Sequence, residues 1–97
     1  MEYKIKFGDK IDDDLEKIGD YIERMTFSKE KSEQLVQEIL SSIMILSKLP
    51  HMYQVFYKKY HSLTVKNKRV IYYIDENKKI IVIYRVLGGY QNYQDYL

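Results

Sequence analysis

At 97 residues, with 45% hydrophobic residues and a net charge of +2, the chain is sized for one domain with an adequate core, and residues 1–97 are read as a single domain. The absence of cysteine excludes a disulfide framework and any thiolate metal site. His51 and His61 are too few for a histidine-based structural zinc site, so no metal and no cofactor are expected.

The N-terminus has no long apolar run, which argues against a signal peptide or a membrane span and for a cytoplasmic protein. Tyr3, Ile5 and Phe7 alternate with lysines, which predicts a half-buried strand with those three side chains inward. Ile11, Leu15, Ile18, Ile22 and Met25 then recur at helical spacing, predicting a helix over residues 12–27. Asp12, Asp13, Asp14 and Glu16 fall in its first turn, where carboxylates complement the helix dipole, and Asp12 is the candidate N-cap. Consecutive helical side chains diverge by about 100°, so the three aspartates do not converge on a metal.

Ser28 reads as the N-cap of a second helix over residues 29–49, closed by Pro50. Its stripe runs through Leu35, Val36, Ile39, Leu40, Ile43, Leu46 and Leu49. The short connector makes the two helices an antiparallel hairpin. Residues 53–57 are a short strand or a loop. Ser62–Lys66 alternates as a strand, and Arg69–Ile74 is a second strand, rich in β-branched and aromatic residues. A hairpin turn at residues 75–78 leads to a nearly continuous apolar run, Ile80–Val86, read as a central strand. The expected class is α+β: an N-terminal strand, a two-helix hairpin, then a three- to four-stranded antiparallel sheet with the helices on one face.

Charge is unevenly divided. Residues 1–50 hold 8 Lys+Arg against 11 Asp+Glu (−3), and residues 51–97 hold 8 against 3 (+5). A one-sided basic surface suits a polyanion or an acidic partner, although ordinary surface lysine is the plainer explanation. Two arginines lie inside strands, where burial without a partner is costly. Strand parity puts Ile80, Val82, Tyr84 and Val86 on one face and Ile81, Ile83 and Arg85 on the other; Val70, Tyr72 and Ile74 likewise oppose Arg69, Ile71 and Tyr73. If the helices cover the first set, Arg69 and Arg85 emerge together on an open face beside Ile71, Tyr73, Ile81 and Ile83. An exposed apolar patch of that size marks a partner surface, unless a homodimer or the C-terminal tail buries it. No paired carboxylates, phosphate-binding glycine loop or thiol nucleophile is present. Any catalysis would rest on Arg, Lys, Tyr and His61, a set suited to cleaving RNA through charge stabilisation on the phosphorane. As a lone histidine, His61 is more often structural than catalytic.

The segments DLEKIGDYI, ILSKLP, HSLTVKNKRVIYYID and IIVIYRVLGG, in that order and spacing, resemble the RelE/ParE superfamily of toxins from bacterial type II toxin–antitoxin modules. The resemblance covers roughly residues 3–93. It implies a small cytoplasmic toxin, of the kind tied to plasmid stabilisation, held inactive by a cognate antitoxin. Some members cleave mRNA on the ribosome; the ParE branch instead poisons DNA gyrase without nuclease activity. The favoured expectation is ribosome-dependent mRNA cleavage causing growth inhibition. The alternatives are a gyrase inhibitor and an inactive interaction module.

By this resemblance Arg69 and Arg85 match the family's strand arginines, and with His61 and Tyr96 they form the candidate catalytic set. Lys58, Lys59, Lys68, Tyr90 and Tyr93 are candidate RNA-binding residues, with the tyrosines able to stack on bases. Ile71, Tyr73, Ile81 and Ile83 are the candidate antitoxin-binding residues. A homodimer and a toxin–antitoxin hetero-oligomer both stay open. The chain departs from the family at Gly88-Gly89-Tyr90-Gln91, where a basic His-Gly-Arg-Arg stretch is common, and at His61, where arginine is common.

Overall fold

The structure, a computed structural model, describes residues 2–89 and 91–97. The N-terminal strand β1 (Lys4–Phe7) is followed by helices α1 (Ile11–Thr26) and α2 (Lys29–Ile45). Strands β2 (Val55–Tyr57), β3 (Tyr60–Val65), β4 (Lys68–Asp75) and β5 (Ile80–Gly88) follow, then a 3-10 helix over Tyr93–Tyr96.

The helical hairpin forms as its periodicity predicts, with corrections at the ends. Lys10, not Asp12, precedes α1, and no side chain caps it. Phe27 closes α1 in the left-handed conformation, φ 55°. The Ser28 hydroxyl accepts from the Lys31 amide at 3.1 Å, the expected cap of α2. The helices meet closely where the Ser32 hydroxyl donates to the Gly19 carbonyl at 2.7 Å. A Cβ on Gly19 would sit 3.1 Å from that hydroxyl oxygen, so a larger residue there would require Ser32 to give way by a few tenths of an ångström. Helix α2 stops at Ile45, short of Leu49, and tight turns carry the chain on to Pro50.

The sheet has five strands in the order β1-β5-β4-β3-β2. It is mixed rather than wholly antiparallel: β1 runs parallel to β5, with Lys4 opposite Ile80 and Phe7 opposite Ile83. Gly8 continues this contact, its amide donating to the Ile83 carbonyl at 2.8 Å. Tyr3 and Ile5 pack on the core, but Phe7 is 43% exposed, contrary to its predicted inward position.

Register decides which residues face the helices. Tyr72 stands opposite Ile83, yet Ile71 stands opposite Arg85, so Tyr84 is a surplus residue and β5 bulges there. Before the bulge Ile81 and Ile83 point to the helices; after it Val86 does. All three join Val70, Tyr72, Leu63 and the stripes of α1 and α2 in one core, most of them with no exposure. Each fully buried aliphatic side chain there is worth about 1.5–3 kcal/mol. The expected open-face patch is therefore not there. Ile81 and Ile83 lie beneath the helices, and Ile71, on the opposite face by alternation from Val70 and Tyr72, is also wholly buried. Of the four candidate antitoxin contacts only Tyr73 keeps some exposure.

Candidate functional site

The sheet face away from the helices gathers aromatic and basic side chains. Tyr60 of β3, Tyr73 of β4 and Tyr84 of β5 form an aromatic cluster, with Tyr60 at 6.0 Å from Tyr73 and 5.2 Å from Tyr84 between ring centres. Lys59 places its Nζ 4.2 Å from the centre of the Tyr73 ring. The C-terminal segment folds back onto the same face. Gln91 fixes it: its Oε1 accepts from the Gly88 amide at 2.6 Å and its Nε2 donates to the Tyr96 hydroxyl at 2.9 Å. Tyr84 adds a bond from its hydroxyl to the Tyr96 carbonyl at 3.2 Å. This tail covers the side on which Ile71 and Leu87 are buried.

Arg69 lies on this face between two rings. Its Cζ is 5.5 Å from the centre of Phe56 and 4.7 Å from that of Tyr93, and the two rings meet edge to face at 5.0 Å. Such packing holds a guanidinium in place while leaving its donors unspent. No carboxylate among the described residues pairs with Arg69. Beside it lies a cavity of about 120 Å³ lined by Thr64, Asn67, Arg69, Gln91 and Tyr93. The cavity thus has one cationic wall, with polar side chains from Thr64, Asn67 and Gln91 around it.

Arg85 has the opposite character. Its Nε and Nη2 donate to the two oxygens of Asp14 at 2.8 and 2.7 Å, a bidentate charge-assisted pair. The same carboxylate accepts from the Val86 amide at 3.0 Å. The side chains are 13% and 5% exposed, so the pair is nearly sealed. The bulge at Tyr84 and the end of β1 at Phe7 together free this edge of β5, and the first turn of α1 fills it. The hydrogen bonds that Arg85 donates to Asp14 hold the guanidinium pKa above its ordinary value. Tyr96 lies over the guanidinium, 4.5 Å from Cζ to ring centre. Three of its five N–H groups stay unspent, but its charge is already balanced by Asp14 and its face is covered by Tyr96, so it has little attraction left for a phosphate.

The two arginines thus stack on different tyrosines of one C-terminal turn, but only Arg69 is chemically available. His61 does not join them. It is buried against the core, stacked on Tyr72 at 5.1 Å, and its Nδ1 lies 2.7 Å from the Tyr53 carbonyl. A carbonyl only accepts, so Nδ1 carries the proton and the ring is a structural fixture. Lys68 is likewise on the helix side, 7% exposed, with its Nζ 5.9 Å from the Tyr21 ring centre, away from the Arg69 face. Lys58 and Lys59 stand on the turn between β2 and β3, and Tyr93 and Tyr96 are half-buried in the tail. Tyr90 lies outside the described residues. Among the described residues no group of three or more His, Asp or Glu is placed to hold a metal ion. No helix among them is long and apolar enough to cross a membrane.

Sequence reasoning missed Asp14, Phe56 and Gln91. Asp14 sits among three consecutive aspartates, and nothing local distinguishes it from its exposed neighbours. Comparison with known proteins agrees with the fold. The ParDE toxin–antitoxin system of Pseudomonas aeruginosa superposes with a TM-score of 0.76 at 20% identity, covering 89% of this chain and 95% of that one. The RelBE2 toxin–antitoxin complex of Mycobacterium tuberculosis gives 0.67 at 19% identity, covering 91% and 99%. The archaeal RelE–RelB complex of Pyrococcus horikoshii gives 0.65 at 16% identity, covering 95% and 100%. No curated protein sequence matches the chain. The family described as the ParE toxin of the type II toxin–antitoxin system, parDE, matches residues 5–93, nearly the whole length. The chain belongs to that ParE toxin family.

Proposed function

We propose that this chain is a growth-arresting toxin that works by binding DNA gyrase rather than by cleaving RNA, and that a cognate antitoxin neutralises it. One observation carries the preference: the bidentate pair between Asp14 and Arg85 spends the second guanidinium on the fold. Cleavage of RNA needs a group to take the proton of the attacking 2′-OH, a group to protonate the leaving oxygen, and charge stabilisation between them. Here His61 is turned into the core, and Tyr96, whose hydroxyl accepts from Gln91, lies over Arg85 rather than over Arg69. A lone Arg69 can grip an anion but cannot supply the proton transfers. It serves instead as an anchor for an acidic or phosphate group on the target. The antitoxin partner is supported by relatives solved together with theirs.

The test is expression of the chain alone from an inducible promoter. The expected result is growth arrest with an induced DNA-damage response, intact mRNA by primer extension, and inhibition of purified gyrase in a supercoiling assay. Arg69→Ala should weaken that inhibition about 10-fold or more, as expected for a lost charge-assisted contact of about 1.5–3 kcal/mol. Cuts in mRNA at codon positions that disappear in Arg69→Ala would overturn this reading and restore the ribonuclease.

A further inference from the structure

The turn that joins β3 to β4 has only two residues, Lys66 and Asn67, between the paired Val65 and Lys68. Both take left-handed φ, 44° and 68°, as a hairpin turn this tight requires. Glycine or asparagine does so at least cost, so Lys66 holds its position against its backbone preference. The same turn fixes Lys68. It opens β4 with the parity of Val70 and Tyr72, and is carried under the helices with them.

Lys68 is 7% exposed, and among the described residues its ammonium has no carboxylate within ion-pair reach and no hydrogen-bond acceptor. The Tyr21 ring lies 5.9 Å from Nζ to centre, at the outer limit of a cation–π interaction. A buried ammonium so poorly compensated costs free energy that nothing in the fold returns. Yet Nζ is not sealed. Among the described residues the Tyr72 hydroxyl is the one side-chain polar atom both sealed and unpartnered, so Lys68 still reaches solvent.

It does so beside a cavity of about 390 Å³ between the end of α1, the first half of α2 and the β3–β4 turn, which Lys68 lines together with Lys31 and Lys66. Glu38 is the one carboxylate in the lining, and it already pairs with Lys66 at 3.1 Å. Three ammonium groups against one carboxylate leave a net charge of +2. Ile22 and Leu35 supply an apolar wall. A phosphate monoester, close to doubly charged at neutral pH, balances that charge, whereas one carboxylate leaves half of it uncompensated. Lysines bind phosphate as point charges and need no forked geometry. The cavity is larger than a phosphate group and falls among pockets that hold small organic molecules.

We propose that this cavity binds a small phosphate monoester of the nucleoside monophosphate type. Lys68, Lys31 and Lys66 hold the phosphate, and the organic body lies against Ile22 and Leu35. The site is on the helix side of the sheet, away from Arg69, and stands independently of the action proposed for the toxin.

The probes are adenosine monophosphate, inorganic phosphate and adenosine, titrated into the full chain and followed by amide NMR shifts. Shifts should concentrate in residues 31–38 and 66–68, and adenosine monophosphate should bind about 10-fold or more tightly than either fragment. Lys68→Met keeps the buried methylenes and removes the charge. It should weaken binding about 10-fold or more, as for a lost charge-assisted contact, and leave the urea midpoint equal to or above that of the parent. Lys31→Met, at an exposed position where the fold tolerates the change, should weaken binding about 3- to 5-fold. Absence of saturable binding, shifts confined to residues 87–93 around Arg69, or unchanged affinity in both variants overturns the proposal. A short poly-aspartate peptide that binds at these residues while the monophosphate does not would make an acidic peptide the occupant and overturns it too. A lower urea midpoint in Lys68→Met with unchanged affinity for the monophosphate makes Lys68 a structural cation held by Tyr21, and likewise overturns it.

Discussion

Substituting Asp14→Ala removes one carboxylate and strands two donors. Arg85 would be left 13% exposed with no counter-charge, and the Val86 amide would lose its acceptor. Breaking a buried pair by deleting one partner costs about 3–5 kcal/mol, because the remaining charge is uncompensated. The orphaned amide belongs to the same site, so its penalty of about 1–3 kcal/mol overlaps with this and does not add in full. A loss of about 4 kcal/mol is expected, out of the roughly 5–15 kcal/mol that holds a typical small domain together. At about 4–8 °C per kcal/mol for a domain of this size, the melting temperature should fall by about 16–32 °C. Urea unfolding followed by circular dichroism gives the free energy directly. The double variant Asp14→Leu, Arg85→Met removes both charges and should recover most of the loss, giving a coupling of about 2 kcal/mol or more in the cycle. An Asp14→Ala protein within about 1 kcal/mol of the parent, or a double variant equal to the sum of the singles, would refute the view that this pair is a sealed structural clamp.

Two other sites give contrasting expectations. The Tyr72 hydroxyl is fully buried with no hydrogen-bond partner among the described residues, and burial, with a smaller contribution from Tyr53, pushes its pKa from 10.0 up to about 12. The folded chain therefore holds that proton more tightly than the unfolded chain. The associated stability is complete below pH 10 and falls as pH rises from 10 towards 12, by about 2–3 kcal/mol. Tyr72→Phe should remove this alkaline loss and be neutral or stabilising by about 1 kcal/mol at pH 7; urea midpoints at pH 7 and pH 11 check both, and a clear destabilisation at pH 7 would refute it. Phe27 is 94% exposed in a left-handed backbone conformation, so Phe27→Gly should stabilise by about 1 kcal/mol in the same assay; a lower midpoint would mean the ring packs on something after all.

Much of the fold was legible in the residues because its signals are local. The helical stripes through Ile11 and Ile18, and through Leu35, Ile39 and Ile43, are the stripes that enter the core. The Ser28 cap and the turn after Asp75 were readable for the same reason. What escaped was set by contacts between distant segments. Ile80–Val86 is apolar on both parities, so nothing in it could reveal that Tyr84 is surplus. Without the bulge, parity sends Ile81 and Ile83 to the wrong face, and with them the expected partner surface. The parallel pairing of β1 with β5 and the engagement of Asp14 by Arg85 likewise depend on where the first and last elements meet. Arg69 was found because an arginine amid β-branched residues is anomalous by itself. Its aromatic clasp was not, since Phe56 and Tyr93 are far apart in sequence.

Asp14 is made 71 residues before the arginine that neutralises it, and β1 has no neighbour in the sheet until β5 exists. During synthesis the helices therefore leave the ribosome with their apolar stripes bare and wait for β5 to cover them.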